Sequence, residues 1–384
     1  SYDQLNKDGF PAKAFVNPEF IIYNPLGEGG QPVPVSHLRI LHINGGFLLF
    51  VNLHHLYGDG SCLSIFIDLF AAETSKTATG SARPADESIR CSKDLPRSQQ
   101  DKNGQSFDTL LAACPEYRLL PIPTGPTMPP LDGVSGMDQS KMKAIGMTFV
   151  IDTSKLSTII KASKTSKFYV LAALTWAHTT KARLAVEPTA HLANNQKPMF
   201  WNPHDWLDPR KKLFSDNLRK TYFGNSVTVP ITTSMGGVDI TLQDLVDACL
   251  CPNKILQIAQ SIMAANHAVD EDFVLTRTAL FESAPPGRLG LALDPLVPGR
   301  FSVNTWGFLG RDARFWFPGQ EADCRADAIR RVQGAWAPVP HGLVLPVRPE
   351  SGDDELEMVV TLSRVAMEEL LRDGDWMGFV KRVV

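Results

Sequence analysis

The spacing of apolar residues changes at one point near the start of the chain. Residues 33–55 form two strand-like runs, VPVSHLRILHI and FLLFVNLHH, and the Asn44-Gly45 pair between them is typical of a tight hairpin turn. The second run is apolar on both faces up to Asn52, which predicts a central, buried strand. After Gly60 the apolar residues recur at helical spacing, at Leu63, Phe66, Ile67 and Phe70. The stretch HHLYGDG, residues 54–60, therefore lies between a strand and a helix.

A long stretch without regular patterning divides the rest of the chain. Residues 76–145 are rich in Ser, Gly, Pro and charge, which predicts a crossover between an N-terminal domain, residues 1–75, and a C-terminal domain, residues 146–384. The later part contains the strand-like LGLALD, RFSVNTWGFLG, ARFWFPG and ELEMVVTL, and the helix-like KFYVLAALTWAHTTKARLA and SRVAMEELLRD, with Ser363 as N-cap of the last helix. Because strands and helices do not alternate strictly, the pattern favours an α+β fold.

Composition and charge narrow the classes of function. The 384 residues are 43% hydrophobic and 21% charged with a net charge of −3, which is typical of a globular protein of two domains. This balance gives no electrostatic basis for binding nucleic acid or an anionic membrane. The six cysteines lack the spacing of a zinc site, and the given sequence contains no apolar run of the kind expected for a secretory signal or a membrane span. We expect a cytoplasmic protein without a metal.

The junction between strand and helix is a suitable place for a reactive histidine. His55 lies where a rigid strand ends and a turn framed by Gly58 and Gly60 begins. An imidazole there can take and return a proton near neutral pH, as a general base must. Asp59 either orients this imidazole or pairs with a cation and locks the turn. On the residues alone, a structural histidine packed against the core is an equal alternative.

Four stretches together resemble the BAHD-type acyltransferases, in particular the fungal branch of the trichothecene 3-O-acetyltransferases. HHLYGDG resembles the HHxxxDG motif of that family, LDPRKKL…TYFGNSV is similar to its D-x-R…Y-x-G-N stretch, NTWG is similar to its T-S-W, and the helix ending W…AR also has a counterpart. The resemblance implies two chloramphenicol-acetyltransferase-like domains with the active site in a channel between them. It also implies direct acyl transfer from acyl-CoA to an alcohol or amine, without an acyl-enzyme.

The resemblance assigns a role to individual residues. His55 would be the general base, and Asp59 would turn away from the pocket toward Arg210. Asn304 stands at the first position of the T-S-W match, where it would donate a hydrogen bond to the oxyanion. Trp306 would line the acceptor pocket, although a Trp in an apolar strand is also typical of a core. Gly60 would support the active-site turn, and no CoA-binding residue can be assigned.

Two departures from the family pattern bear on this assignment. The D-F-G-W-G motif of the family aligns with RFWFP, residues 314–318, where only Phe315 is retained. Asp312 is a candidate to replace the missing acidic residue, and Gly319 restores a flexible position. In the family the catalytic histidine lies far deeper in the chain than position 55, so we expect a shortened N-terminal domain.

The sequence therefore predicts a CoA-dependent acyltransferase, in particular an O-acetyltransferase acting on a hydroxyl of a small secondary metabolite. Acetyl-CoA or another acyl-CoA would be a co-substrate, and no cofactor would be permanently bound. We expect a cytoplasmic monomer with a small-molecule alcohol as acceptor and without nucleic-acid or membrane partners. The alternative is a catalytically silent protein of BAHD-like fold that binds a small molecule or a partner.

Overall fold

The computed structural model describes most of the chain in segments. These are residues 1–15, 34–55, 57–79, 104–120, 144–187, 197–208, 212–215, 222–285, 287–292, 297–317, 323–332, 340–352 and 354–384, with the backbone alone for 76–79. Helices and strands are mixed throughout these segments, as the sequence predicts for an α+β fold.

The described helices are α1 (Tyr2–Lys7), α2 (Gly60–Thr79), α3 (Phe107–Ala113), α4 (Ser157–Ser163), α5 (Lys167–Val186), α6 (Leu242–Ala248), α7 (Pro252–His267), α8 (Glu271–Ser283), α9 (Arg364–Arg372) and α10 (Gly374–Met377), with a 3₁₀ turn at Ala12–Phe15. The described strands are β1 (Ser36–Ile43), β2 (Gly46–Leu53), β3 (Tyr117–Leu119), β4 (Ala144–Asp152), β5 (Met199–Trp201), β6 (His204–Asp205), β7 (Val227–Thr228), β8 (Ile231–Thr232), β9 (Ser234–Met235), β10 (Val238–Asp239), β11 (Leu289–Leu291), β12 (Arg300–Thr305), β13 (His341–Val344), β14 (Glu355–Ser363) and β15 (Val380–Val383).

The main core lies on one face of a seven-stranded sheet with the order β15-β4-β14-β13-β12-β5-β8. Strand β12 is parallel to β13 and to β5, and the other neighbouring pairs are antiparallel. Helix α5 is buried on nearly every side, which explains why its sequence is apolar without a polar face. Phe301 and Val303 of β12 point into this core, so Ser302 and Asn304 point to the opposite face. The predicted N-cap is confirmed, because Ser363 Oγ accepts from the N–H of Ala366.

The N-terminal hairpin and helix form as predicted. Ile43 pairs with Gly46 across the turn, and Gly45 takes the positive φ of 86° that the Asn-Gly signal requires. The prediction of a central, buried strand is wrong for β2. All eight of its residues are half-buried, and within the described residues it pairs with β1 alone. An apolar run reports the hydrophobicity of a strand but not the number of strands beside it.

Helix α2 packs against the segment of chain that follows β12. Ala71 of α2 packs in a buried cluster with Ala313 and Phe315. The Thr74 hydroxyl accepts the N–H of Trp316 at 3.0 Å. The prediction of a strand at ARFWFPG is wrong for its described part, which forms only an isolated bridge between Phe315 and Cys324. The start of α2 lies close to the end of β12, since a Cβ atom on Gly60 would lie 3.9 Å from Nε1 of Trp306.

Candidate active site

The two adjacent histidines at the end of β2 have different surroundings. His54 is buried, its N–H donates to the carbonyl of Val35 at 2.7 Å, and its ring meets that of Tyr57 edge to face. His55 is exposed, and no described residue forms a hydrogen bond, ion pair or ring contact with its imidazole. His54 therefore anchors the loop, whereas the His55 side chain is available to a ligand.

The main chain of His55 is held from a distant part of the sequence. The side-chain amide of Asn225 donates a hydrogen bond of 2.8 Å to the carbonyl oxygen of His55. Asn225 belongs to the TYFGNSV stretch, so this motif lies directly against HHLYGDG. A residue whose backbone is fixed and whose imidazole is unpaired has the arrangement that a general base requires.

Asp59 is buried and serves both as the N-cap of α2 and as a clamp. Its Oδ1 accepts from the backbone N–H groups of Ser61 at 3.0 Å and Cys62 at 3.2 Å, the second and third residues of the helix. Its Oδ2 accepts from the backbone N–H of Ser226 at 2.7 Å and from the Ser226 hydroxyl at 3.0 Å. Both oxygens are thus engaged in holding the turn. The pair of Asp59 with Arg210 stays a prediction, since Arg210 lies outside the described residues.

A second, half-buried carboxylate joins this network. Asp205 accepts from the Ser61 hydroxyl at 2.8 Å and from the Ser226 hydroxyl at 2.9 Å. Because Ser226 has one hydroxyl proton, it can donate to Asp59 or to Asp205 but not to both at once. Burial raises the pKa of Asp205, and the neighbouring charge of Asp59 raises it further against the lowering effect of its hydrogen bonds. The network therefore includes a carboxyl group that holds its proton more tightly than usual.

Close packing around Cys62 accounts for Gly58 in the motif. A Cβ atom on Gly58 would lie 2.6 Å from Cβ of Cys62, closer than real atoms approach. The Cys62 thiol donates to the carbonyl of Gly224 and accepts its N–H, each at 3.2 Å. Burial, followed by the charge of Asp59, raises the pKa of Cys62 to about 11, so the thiol is neutral near pH 7. At Gly60, by contrast, a Cβ would make only an ordinary contact of 3.9 Å with Trp306 Nε1.

Asn304 and Trp306 lie where β12 ends, on the face of the sheet opposite helix α5. The Asn304 side-chain oxygen accepts the N–H of Thr305 at 2.7 Å, which leaves its NH₂ group without an acceptor among the described residues. Trp306 packs on a small apolar cluster of Leu343, Leu345 and Val359, and its Nε1 edge faces the start of α2. Trp306 therefore combines a core contact with an edge next to the loop. No described contact joins Asn304 directly to His55.

The segment aligned with D-F-G-W-G packs against α2, and its charged residues lie at the surface. Phe315 is buried against α2, in the apolar cluster that also contains Ala71 and Ala313. Asp312 does not take over the missing acidic position, because its carboxylate is mostly exposed and pairs with Arg311 at 3.2 Å. Arg314 lies 3.6 Å from Asp323 at the surface. Gly319 lies outside the described residues.

The motifs indicate His55 and Asp59 but not the residues that hold them. Asn225 and Ser226 belong to the TYFGNSV stretch without any sign in the sequence that they bind the loop, and no pattern marks Asp205. Within the described part of the chain no cluster of side chains is suited to a metal ion, and no helix is long and apolar enough to cross a membrane. A cavity of about 590 Å³ lies elsewhere, between α1 and β15, and is lined mainly by charged residues such as Lys7 and Arg382.

Comparison with solved structures identifies the fold. TRI101 of F. graminearum, complexed with coenzyme A and deoxynivalenol, is similar over 99% of this chain and 78% of its own, with 17% identity and a TM-score of 0.59. TRI101 of F. sporotrichioides, complexed with coenzyme A and T-2, is similar over 99% and 77%, with 18% identity and a TM-score of 0.54. Vinorine synthase is similar over 92% and 68%, with 16% identity and a TM-score of 0.50. No family model and no curated protein sequence matches the chain.

These likenesses span nearly the whole chain and confirm the predicted fold. The chain has the mixed α/β fold of the BAHD acyltransferases, the class that includes TRI101 and vinorine synthase. At identities of 16–18% they establish the fold and not the reaction. The chemistry has to be argued from the loop itself.

Proposed function

Starting from this fold, we propose that the chain is a CoA-dependent acyltransferase that moves an acyl group from acyl-CoA to a hydroxyl of a small molecule. The observation that carries the proposal is the state of His55. Asn225 holds its carbonyl, Asp59 holds the turn that follows, and the imidazole itself is exposed and unpaired among the described residues. A loop so firmly held around an unused imidazole supports a catalytic role for His55.

In the proposed reaction His55 acts as general base. Its imidazole removes the proton of the acceptor hydroxyl while the hydroxyl oxygen attacks the thioester carbonyl. The tetrahedral intermediate then collapses, the carbon–sulfur bond breaks, and the imidazolium returns the proton to the departing CoA thiolate. No acyl-enzyme is needed. The raised pKa of the buried Cys62 thiol supports this, because a neutral, enclosed thiol is a poor nucleophile.

The oxyanion of the intermediate needs a hydrogen-bond donor, and we assign this role to Asn304. Its side-chain oxygen is occupied by the N–H of Thr305, so the NH₂ group is the part left to donate. Trp306, whose Nε1 edge faces the start of α2, lines the acceptor side of the site in this proposal. In this proposal Asn304 is the hydrogen-bond donor and Trp306 forms one side of the acceptor pocket, both on the sheet face opposite helix α5.

Donor and acceptor classes are proposed from the similar structures. The two TRI101 structures contain coenzyme A together with deoxynivalenol or T-2. They support acyl-CoA as the donor and a hydroxylated small molecule as the acceptor. We take acetyl-CoA as the default donor, and a hydroxyl rather than an amine as the default acceptor group.

The test is release of free CoA thiol from acetyl-CoA in the presence of a panel of hydroxylated small molecules. We expect acceptor-dependent release by the wild-type chain and none above background by His55→Ala. His42→Ala, which changes an exposed histidine on the same hairpin, is the matched control and should retain the activity. A folded wild-type chain that binds no acyl-CoA would contradict the proposal and favour the catalytically silent alternative.

A further inference from the structure

Two adjacent arginines near the end of β12 have different partners. The guanidinium of Arg330 forms hydrogen bonds with both oxygens of Glu357, at 2.7 and 3.2 Å, and with the carbonyls of Gly9 and Phe10. Arg331 has one described hydrogen bond, 2.7 Å between its Nη1 and Nε2 of His341. No carboxylate of the described residues lies within ion-pair distance of Arg331. Among the described residues, therefore, Arg330 has a counter-ion and Arg331 has none.

The absence of this counter-ion is unusual for an enclosed arginine. Arg331 is half-buried, and burial lowers its pKa without an opposing contribution from a nearby acid. Two other enclosed arginines, Arg183 and Arg277, pair with Glu187 and Glu116. Enclosing a cation without an anion costs free energy that a bound anion recovers. None of its nitrogens is among the fully buried atoms that lack a partner, and its side chain keeps some exposure to solvent.

The position of Arg331 connects it with the proposed reaction. Its guanidinium carbon lies 6.0 Å from the centre of the Trp306 ring. Its partner His341 is paired in register with Ser302, two residues before Asn304 on the same strand. Residues paired in register, and residues two apart along a strand, share one face of the sheet. Arg331 therefore lies beside the sheet face that carries the proposed oxyanion donor.

The kind of anion follows from this position. In CoA the long pantetheine arm separates the thioester from the phosphates, so a cation beside Trp306 and one strand from Asn304 is poorly placed to meet a phosphate. It is well placed to meet a charge on the acceptor. The planar fork of a guanidinium matches the two oxygens of a carboxylate. We propose that Arg331 is a specificity-determining residue that binds a carboxylate of the acceptor, so that the preferred acceptor is a hydroxy acid. This inference rests on the proposed function.

Binding can be measured without any turnover, which separates this inference from the acyltransferase proposal. The probes are 4-hydroxyphenylacetate and 4-hydroxycyclohexanecarboxylate, each beside its methyl ester, titrated calorimetrically into the whole chain. We expect at least one acid to bind more tightly than its ester. Arg331→Met should lower the affinity for that acid by about 10–100-fold, and Arg331→Lys should lower it less. Both variants should leave the affinity for the ester unchanged.

The controls decide between a specific and a structural effect. Arg325→Met removes an exposed arginine of the same segment and should leave the affinity for the acid unchanged. Thermal melts of all variants establish that they are folded. Equal binding of acids and esters, no binding of either acid, or a loss that Arg325→Met reproduces would overturn the inference. Succinyl-CoA carries a carboxylate on its acyl group. If the Arg331→Met variant lost affinity for succinyl-CoA alone, the inference would also be overturned, because Arg331 would then bind the acyl group and not the acceptor. Failure of acetyl-CoA to bind would instead count against the acyltransferase proposal.

Discussion

Two loops meet at α2, and they are held in different ways. The loop of residues 54–60 is fixed by hydrogen bonds, with Asp59 accepting four of them from three residues. The loop of residues 312–317 is fixed by packing of Phe315, and the charges of Asp312 and Arg314 lie at the surface. A buried carboxylate at the centre of a hydrogen-bond network holds the loop that carries His55, whereas apolar packing and a few hydrogen bonds to main-chain groups, such as that of Trp316 N–H to the Thr74 hydroxyl, hold the other. Changed charges in the second loop therefore need not disturb the first.

The largest expected effect comes from His55. Changing His55 to Ala should lower acceptor-dependent CoA release by about 10²–10⁴-fold, the usual contribution of a general base. The melting temperature should stay within error of the wild type, because the exposed imidazole contacts no described residue. Thiol assays and thermal melts of the same preparations measure both quantities. A large drop in melting temperature would instead identify His55 as a structural histidine.

The next effect concerns the oxyanion. Asn304→Ala should lower turnover by about 10²–10³-fold, as removal of one oxyanion-hole donor does in other enzymes. The affinity for acetyl-CoA should change much less, since the lost hydrogen bond belongs to the transition state. Steady-state kinetics and calorimetry separate the two quantities. Ser302→Ala, on the same face of β12, is the control, and an unchanged rate in Asn304→Ala would refute the assignment.

A stability experiment tests the contrast between the two loops. Asp59→Ala removes the N-cap of α2 and leaves the buried N–H of Ser226 without its acceptor, which should cost about 2–3 kcal/mol of unfolding free energy. Asp312→Ala, the matched change in the second loop, should cost about 0–0.5 kcal/mol because its ion pair is exposed. Urea unfolding curves measure both. Equal losses would mean that the two loops are not held differently.

The smallest effect is a pH dependence at Asp205. Its pKa is raised in the folded chain, so the folded state binds the proton more tightly than the unfolded state. Stability from this group is therefore gained as pH falls through the raised pKa toward the ordinary value of 3.8, and lost as pH rises. Asp205→Asn should remove this dependence. The melting temperature of the variant minus that of the wild type should grow between about pH 4 and pH 7, and a difference that shrinks would contradict the account.

Local features of the fold could be predicted from the sequence. The Asn44-Gly45 turn, the helical spacing after Gly60 and the Ser363 cap each depend on a few neighbouring residues, and each is present in the structure. His55 was identified in the same way, from its place between a strand and a helix. Its role remains a prediction, but its position at the loop does not depend on distant parts of the chain.

What could not be predicted depends on contacts between distant residues. Ser226 binds Asp59 from 167 positions away, and Asn225 reaches His55 from 170. No periodicity reports such pairs. The number of strands beside β2 and the packing of Phe315 against α2 likewise depend on distant parts of the chain. The motif predicts a candidate site from the sequence, whereas the hydrogen-bond network around it depends on contacts that form only in the folded chain.

The central claim is that the loop is a scaffold and the His55 imidazole is reserved for chemistry. Calorimetric titration of acetyl-CoA into the folded wild-type chain and into folded His55→Ala tests it most directly, because no acceptor has to be chosen. We expect both proteins to bind acetyl-CoA with the same affinity, while only the wild type releases thiol once an acceptor is supplied. Binding that is absent from the folded wild type, or lost only in His55→Ala, would contradict the account.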